Sequence, residues 1–169
     1  VTDADAVEAM ASEFAGRLDV VVANAAWSDR SGPIHEQEYE MLRKTLEVSQ
    51  MGVVHTVRSG VRALRATQEA RRARASEGQL ADSGDRSPRV VIISSIMGSQ
   101  PLSQSAAAYS MAKAAITHLG KCVAAELCPH RINVNVVAPG WIDTPGERKW
   151  TSDEAMARLA RLELQQQLL

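Results

Sequence analysis

Two short runs of mostly β-branched residues, Val20-Val21-Val22-Ala23 and Val90-Val91-Ile92-Ile93, constrain this chain more than any other feature. Each is too short for a helix and apolar without alternation, the pattern of a parallel strand covered on both faces. A third run, Asn133-Val134-Asn135-Val136-Val137, completes the set. The stretches between them have helical period. Residues 3–16 place Val7, Met10, Ala11 and Phe14 on one face, with Thr2 or Asp3 as N-cap and Gly16 as the stop. A second helix is predicted from Glu36 to Ala70, where Gly52 and Gly60 mark a bend or a close packing contact. A third, Tyr109 to Leu127, stops before Pro129 and turns Ile116, Leu119 and Val123 inward. Thr151 and Glu154 stand at capping-box spacing and open a last helix that runs to the C-terminus. Strand and helix alternate, which predicts an α/β fold with a doubly wound parallel sheet and right-handed crossovers.

With 169 residues the chain is expected to form one domain. Its 45% apolar and 23% charged residues exclude a disordered or low-complexity chain. A net charge of -1 provides no general attraction to nucleic acid or to an anionic membrane. Neither a membrane-spanning run nor a signal-peptide layout is present, so a soluble, cytoplasmic protein is expected. Residues 71–89 lack an apolar period and collect Ser, Gly, Asp and Arg, which reads as a solvated polar loop. Arginines cluster between Arg58 and Arg89, yet no aromatic residue there could stack a base, so a solvated surface explains them better than a nucleic-acid patch. His35, His55, His118 and His130 form no ligand cluster, and no metal is expected. Cys122 and Cys128 lie about 9 Å apart along one helix at ~1.5 Å per residue. That exceeds the ~7 Å reach of a disulfide, and both are expected to pack as small apolar side chains.

The chemistry concentrates in Tyr109-Ser110-Met111-Ala112-Lys113, a phenol and an ammonium one turn apart on one helix face. A lysine cation beside a tyrosine favours the phenolate and suits the phenol for general acid/base work near neutral pH. Ser95 stands at the carboxyl end of the second strand, where ligands bind in open α/β sheets. Strand-end Ser95 and the Tyr109-Lys113 pair form a compact donor set for a carbonyl oxygen. Pro139-Gly140 with Thr144 follows the third strand, and Asn24-Ala25-Ala26 follows the first.

With these four motifs in this order, the chain resembles the short-chain dehydrogenase/reductase family in its single-domain form. The run Pro139-Gly140-Trp141-Ile142-Asp143-Thr144 is similar to that of glucose 1-dehydrogenases and 3-oxoacyl-carrier-protein reductases within the family, a likeness that leaves the substrate open. The resemblance implies a Rossmann-like sheet and an NAD(P)-dependent enzyme that interconverts a small-molecule alcohol and a carbonyl by hydride transfer. It implies that Tyr109 is the proton donor or acceptor, that Ser95 holds the substrate oxygen, and that Lys113 binds the nicotinamide ribose. Asn24 and Ala25 would line the adenosine side, Pro139, Gly140 and Ile142 the nicotinamide, and Thr144 its carboxamide or the phosphates. The segment 141–169, with Trp141 and Trp150, would form a substrate lid. A homodimer or homotetramer is implied, with no nucleic-acid or membrane partner.

The chain also departs from the family pattern. Ser49 replaces the family's asparagine, whose place helps hold a proton-relay water behind the lysine. Ala26 replaces a glycine close to the cofactor. No Gly-x-x-x-Gly-x-Gly turn, the family's pyrophosphate cradle, occurs anywhere. The chain opens on a helix and shows no strand after its last one, so residues 1–169 are expected to be a partial domain, lacking the first strands and the last strand. Its first strand would then be an uncovered apolar edge. The rival reading is an inactive or assembly-only piece of such an enzyme, paired through its long helices.

Overall fold

The structure, a computed structural model, describes residues 1–28, 32–77, 87–100, 106–149 and 151–158. Its elements run α1 (Ala4–Ser12), β1 (Val20–Ala23), α2 (Tyr39–Leu46), α3 (Gly52–Ser76), β2 (Arg89–Ile93), α4 (Ala107–Leu127) and β3 (Asn133–Val137). The three strands lie in the order β1-β2-β3, all parallel, with Val21 opposite Val90 and Ile92 opposite Val136. This is the parallel sheet with intervening helices that the alternation predicts.

The strands are covered less completely than their composition suggests. Along β1, Val21 and Ala23 are buried whereas Val20 and Val22 are 44% and 55% exposed. The buried side faces α3, and its core joins Val21, Val90 and Ile92 to Val53, Val57 and Leu64 of α3 and Ile116 of α4. The expectation of burial on both faces of β1 is therefore corrected to one face. Gly60 explains how closely α3 approaches: a Cβ there would lie 2.6 Å from Val21 Cγ2, so any side chain would push helix and strand apart. The contact reading of Gly60 holds.

At α1, Asp3 is the cap, its carboxylate accepting from the Ala6 N–H at 2.9 Å. Val7 and Ala11 are buried, but Met10 and Phe14 of the predicted apolar face are 55% and 42% exposed. The predicted second helix is divided. A short 3-10 turn (Ile34–Glu36) precedes α2, and a π-helical turn (Glu47–Met51) separates α2 from α3. Helix α3 then continues to Ser76, so residues 71–76 of the predicted loop are helical, and residues 78–86 lie outside the described ones. Tertiary contacts favour this extension. Arg71 pairs with Asp19 at 2.5 Å and Thr67 accepts from the Leu18 N–H at 3.0 Å, both just ahead of β1.

Cys122 and Cys128 are free and exposed, not packed as expected, because the inner face of α4 is taken by Ile116, Gly120 and Leu127. Ser152, not Thr151, caps the last described helix by accepting from the Ala155 N–H at 3.3 Å. That helix begins at Asp153 and is described to residue 158; its expected run onward, and Trp150, lie outside the described residues. Among the described residues no helix is long and apolar enough to cross a membrane.

Candidate active site at the carboxyl ends of the strands

The ends of β2 and β3 are stitched together by main-chain bonds, Ser94 N to Val137 O at 2.7 Å and Ile96 N to Pro139 O at 3.0 Å. These bring Pro139 and Gly140 beside Ser95. The chain then makes a 3-10 turn (Ile96–Gly98), where Ser95 Oγ accepts from the Met97 N–H at 3.2 Å. Gly98 lies so close to α4 that a Cβ would sit 2.9 Å from the Lys113 carbonyl carbon. Glycine here lets the turn that follows Ser95 rest directly on the helix turn that carries Lys113.

Tyr109 occupies the first turn of α4 and Lys113 the next. The Lys113 Nζ lies 5.5 Å from the Tyr109 ring centroid and donates to Ile93 O at 2.7 Å. Lys113 is only 2% exposed, and burial lowers its pKa from the usual lysine value to about 8. Its main chain is held as well. Ser94 Oγ donates to Lys113 O at 3.0 Å, Thr117 Oγ1 reaches the same oxygen at 2.8 Å, and the two hydroxyls are 2.6 Å apart. Consecutive residues at the end of β2 thus grip both ends of Lys113, and the next side chain, Ser95, is left for the cleft.

Ser95 and Tyr109 line one open cleft of about 400 Å³, together with Gly140, Ile142 and Thr144 from the expected cofactor-binding set. Lys113 lies beneath that wall. Asn24, Ala25 and Pro139 are not part of the lining; Asn24 is exposed just beyond β1. Ser49 is fully buried in the π-helical turn, and its hydroxyl is engaged by Trp27, accepting from the Trp27 N–H at 2.8 Å and donating to Trp27 O at 2.5 Å. The residues sequence reasoning missed are Trp27, Ser28, Ile96 and Met97 in the lining, and Ser94 and Thr117 behind it. Trp27 and Ser28 follow Asn24-Ala25-Ala26 directly, which was the available signal. Among the described residues, Ser28 Oγ is buried at this wall without a hydrogen-bond partner. Of the predicted lid, Trp141, Ile142, Thr144 and Gly146 line the cleft. Arg148 spans the loop, pairing with Asp143 at 2.5 and 2.6 Å and with Asp153 at 3.3 Å. The guanidinium holds the Asp143 carboxyl below its usual pKa.

Comparison with known proteins supports the fold and the family. A family model described as enoyl-(acyl carrier protein) reductase matches residues 1–167. The cis-4-hydroxycyclohexanecarboxylate dehydrogenase of Sinomonas cyclohexanicum is 35% identical over 149 residues, 86% of this chain and 52% of that protein. Human dehydrogenase/reductase SDR family member 4 is 30% identical over 90% of this chain and 48% of its own length. A short-chain dehydrogenase of Burkholderia cenocepacia, solved in complex with NADP, superposes with a TM-score of 0.70 at 25% identity, covering 96% of this chain and 64% of that one. The chain spans about half the length of the curated relatives it matches. From strand order to strand-end serine and helical Tyr-Lys pair, this chain belongs to the short-chain dehydrogenase/reductase family.

Proposed function

We propose that the chain carries the catalytic half of an NAD(P)-dependent oxidoreductase that interconverts an alcohol and a carbonyl compound. One observation carries this reading: Ser95 and Tyr109 line the same cleft while Lys113 lies buried one helical turn behind the phenol. The residues present suit the nicotinamide end of the cofactor. Gly140, Ile142 and Thr144 line the cleft, and the Lys113 ammonium, held at Ile93 O, is the group that would bind a ribose hydroxyl. The residues described here include no glycine-rich cradle for the pyrophosphate, so the fit extends to the nicotinamide half only. When bound, the nicotinamide supplies or accepts the hydride.

The chain's own residues supply the rest. The Tyr109 hydroxyl gives its proton to the carbonyl oxygen in reduction and takes it back in oxidation, while Ser95 Oγ donates a hydrogen bond to that oxygen. Lys113, buried and cationic at neutral pH, favours the phenolate form. Ser49 serves this site through Trp27, fixing the loop that walls the cleft. Asn24 and Ala25 extend toward the adenosine side. The same proposal includes assembly as a homodimer or homotetramer, supported by the exposed Tyr39 and Met111 on α2 and α4.

The test is Tyr109→Phe in the full natural polypeptide, which keeps the ring and removes only the hydroxyl. Turnover falls by about 100-fold or more, with NAD(P) binding retained. Near-normal turnover overturns the assignment.

A further inference from the structure

Ser94 follows β2 directly, is 3% exposed, and is not among the residues lining the cleft. Its bonds nonetheless run to both elements that flank the strand. The main-chain N–H donates to Val137 O of β3 at 2.7 Å, and Oγ donates to Lys113 O of α4 at 3.0 Å. A second hydroxyl, Thr117 Oγ1, stands 2.6 Å from Ser94 Oγ and 2.8 Å from the same carbonyl oxygen. Two hydroxyl protons serve these three contacts, so the pair acts as one unit and not as two separate bonds.

The two hydroxyls differ in what they can hold. Thr117 lies one turn after Lys113 in α4, so its bond to Lys113 O stays inside the helix and fixes nothing relative to the sheet. Ser94, in contrast, crosses from strand to helix. Much of that seam is apolar: Ile116 shares the core with Val90 and Ile92, and Gly120 stands against Val136. Apolar contact sets how near the helix lies but has no direction, so it tolerates a small slide or rotation that a hydrogen bond does not. Lys113 Nζ makes another polar bond across the seam, to Ile93 O. On the reading above that ammonium is committed to the cofactor ribose, which leaves the Ser94 bond as an anchor that no ligand calls on.

We infer that Ser94 is a positioning residue for the proposed reaction: its hydroxyl, supported by Thr117, fixes the register of α4 against the end of β2 and so the placement of the Tyr109 phenol against the Ser95 hydroxyl. The inference rests on the oxidoreductase reading above and adds to it a residue that touches neither substrate nor cofactor. Neighbouring serines thereby divide the work, Ser94 on the helix and Ser95 in the cleft.

The experiment measures kcat, KM and Tm of the full natural enzyme, with phenanthrenequinone as the carbonyl probe and NADH or NADPH as the reductant. Ser94→Ala lowers kcat by about tenfold and changes KM by less than about twofold, because the cleft keeps its lining while the donors are misaligned in the transition state. Thr67→Val is the matched control. Thr67 is a buried hydroxyl of α3 that likewise bonds to a carbonyl one turn back, Ala63 O at 2.9 Å, and to a separate segment, the Leu18 N–H at 3.0 Å, at the amino end of the sheet. Its loss lowers Tm about as much as Ser94→Ala does but leaves kcat within about 1.5-fold of the parent. Thr117→Val lowers kcat a few-fold in the parent and by less than about 1.5-fold in the Ser94→Ala background, where it has no crossing bond to support. A Ser94→Ala kcat within about twofold of the parent, an equal loss in Thr67→Val, or an undiminished effect of Thr117→Val in the Ser94→Ala background overturns the inference. Tyr109→Phe, run alongside, distinguishes the failures. If it abolishes turnover while Ser94→Ala changes nothing, only the positioning inference falls; if the parent does not reduce the probe or Tyr109→Phe leaves turnover intact, the functional reading falls and takes the inference with it.

Discussion

The two walls of the cleft are built by different physics. On the β2 and α4 side, Lys113 is buried and gripped at its ammonium by Ile93 O and at its carbonyl by Ser94 and Thr117. On the lid side, Ile142 is 58% exposed and the loop is tied by Arg148 ion pairs whose side chains are more than half exposed. Buried bonds of the first kind are costly to break, because a partner left behind stays desolvated. Exposed ion pairs of the second kind exchange readily with water and salt. Under the proposed function this is a division of labour in which the proposed reacting groups are set rigidly by strand and helix, and the proposed lid is held more loosely.

Substitutions at Lys113 test the rigid side most severely. Lys113→Met should reduce turnover of the full natural enzyme by about 100-fold or more, since the phenol loses its cation. The same change should raise thermal stability at neutral pH. Folding lowers the Lys113 pKa to about 8, so burial of the charged form costs stability fully below that pH. The cost fades as pH rises from about 8 toward the ordinary lysine value of roughly 10.5, where the unfolded chain loses its proton too. Parent and variant Tm values should therefore differ most near pH 7 and converge by about pH 10.5. A variant that is less stable at neutral pH would show that the ammonium is better compensated than its surroundings indicate.

Gly98→Ala is expected to rank next. Its new Cβ would lie 2.9 Å from the Lys113 carbonyl carbon, so the turn after Ser95 must move away from α4. Turnover should fall by about tenfold or more because a small misplacement of Ser95 against Tyr109 misaligns the donors. Parent-like kinetics would mean that the two elements are not rigidly coupled.

Smaller still is Thr117→Val, which deletes one hydroxyl but leaves Ser94 on the same carbonyl oxygen. A stability loss of about 1 kcal/mol and a fall in turnover of a few-fold are expected, measured by denaturant unfolding and steady-state kinetics. At the far end, Arg148→Ala should leave Tm unchanged at any salt concentration and alter KM more than kcat. A marked loss of Tm in that variant would show that the lid is as firmly built as the strand ends, and the contrast would break.

Much of the rigid side was legible in the sequence because it is local. Tyr109 and Lys113 are one helical turn apart, and Ser95 ends a β-branched run. The π-helical turn that splits α2 from α3 was signalled only by Gly52 beside it, since its residues satisfy helical period on both sides and the Ser49-Trp27 bonds that use its geometry join residues 22 apart. Nor was the extent of α3, which passes the arginine-rich stretch on the strength of Arg71 reaching Asp19, 52 residues away.

By itself, then, the sequence determined the parallel strands, the helices between them and the candidate site residues Ser95, Tyr109 and Lys113, because unbroken β-branched runs, a helical period of 3.6 and strand-end positions are written into neighbouring residues. Tertiary structure alone decided which face of β1 is buried, that two hydroxyls converge on the Lys113 carbonyl, and that Trp27 becomes a wall of the cleft. Each of these depends on groups from separate elements meeting at hydrogen-bond or van der Waals distance, and such distances are set by how helices seat on a sheet.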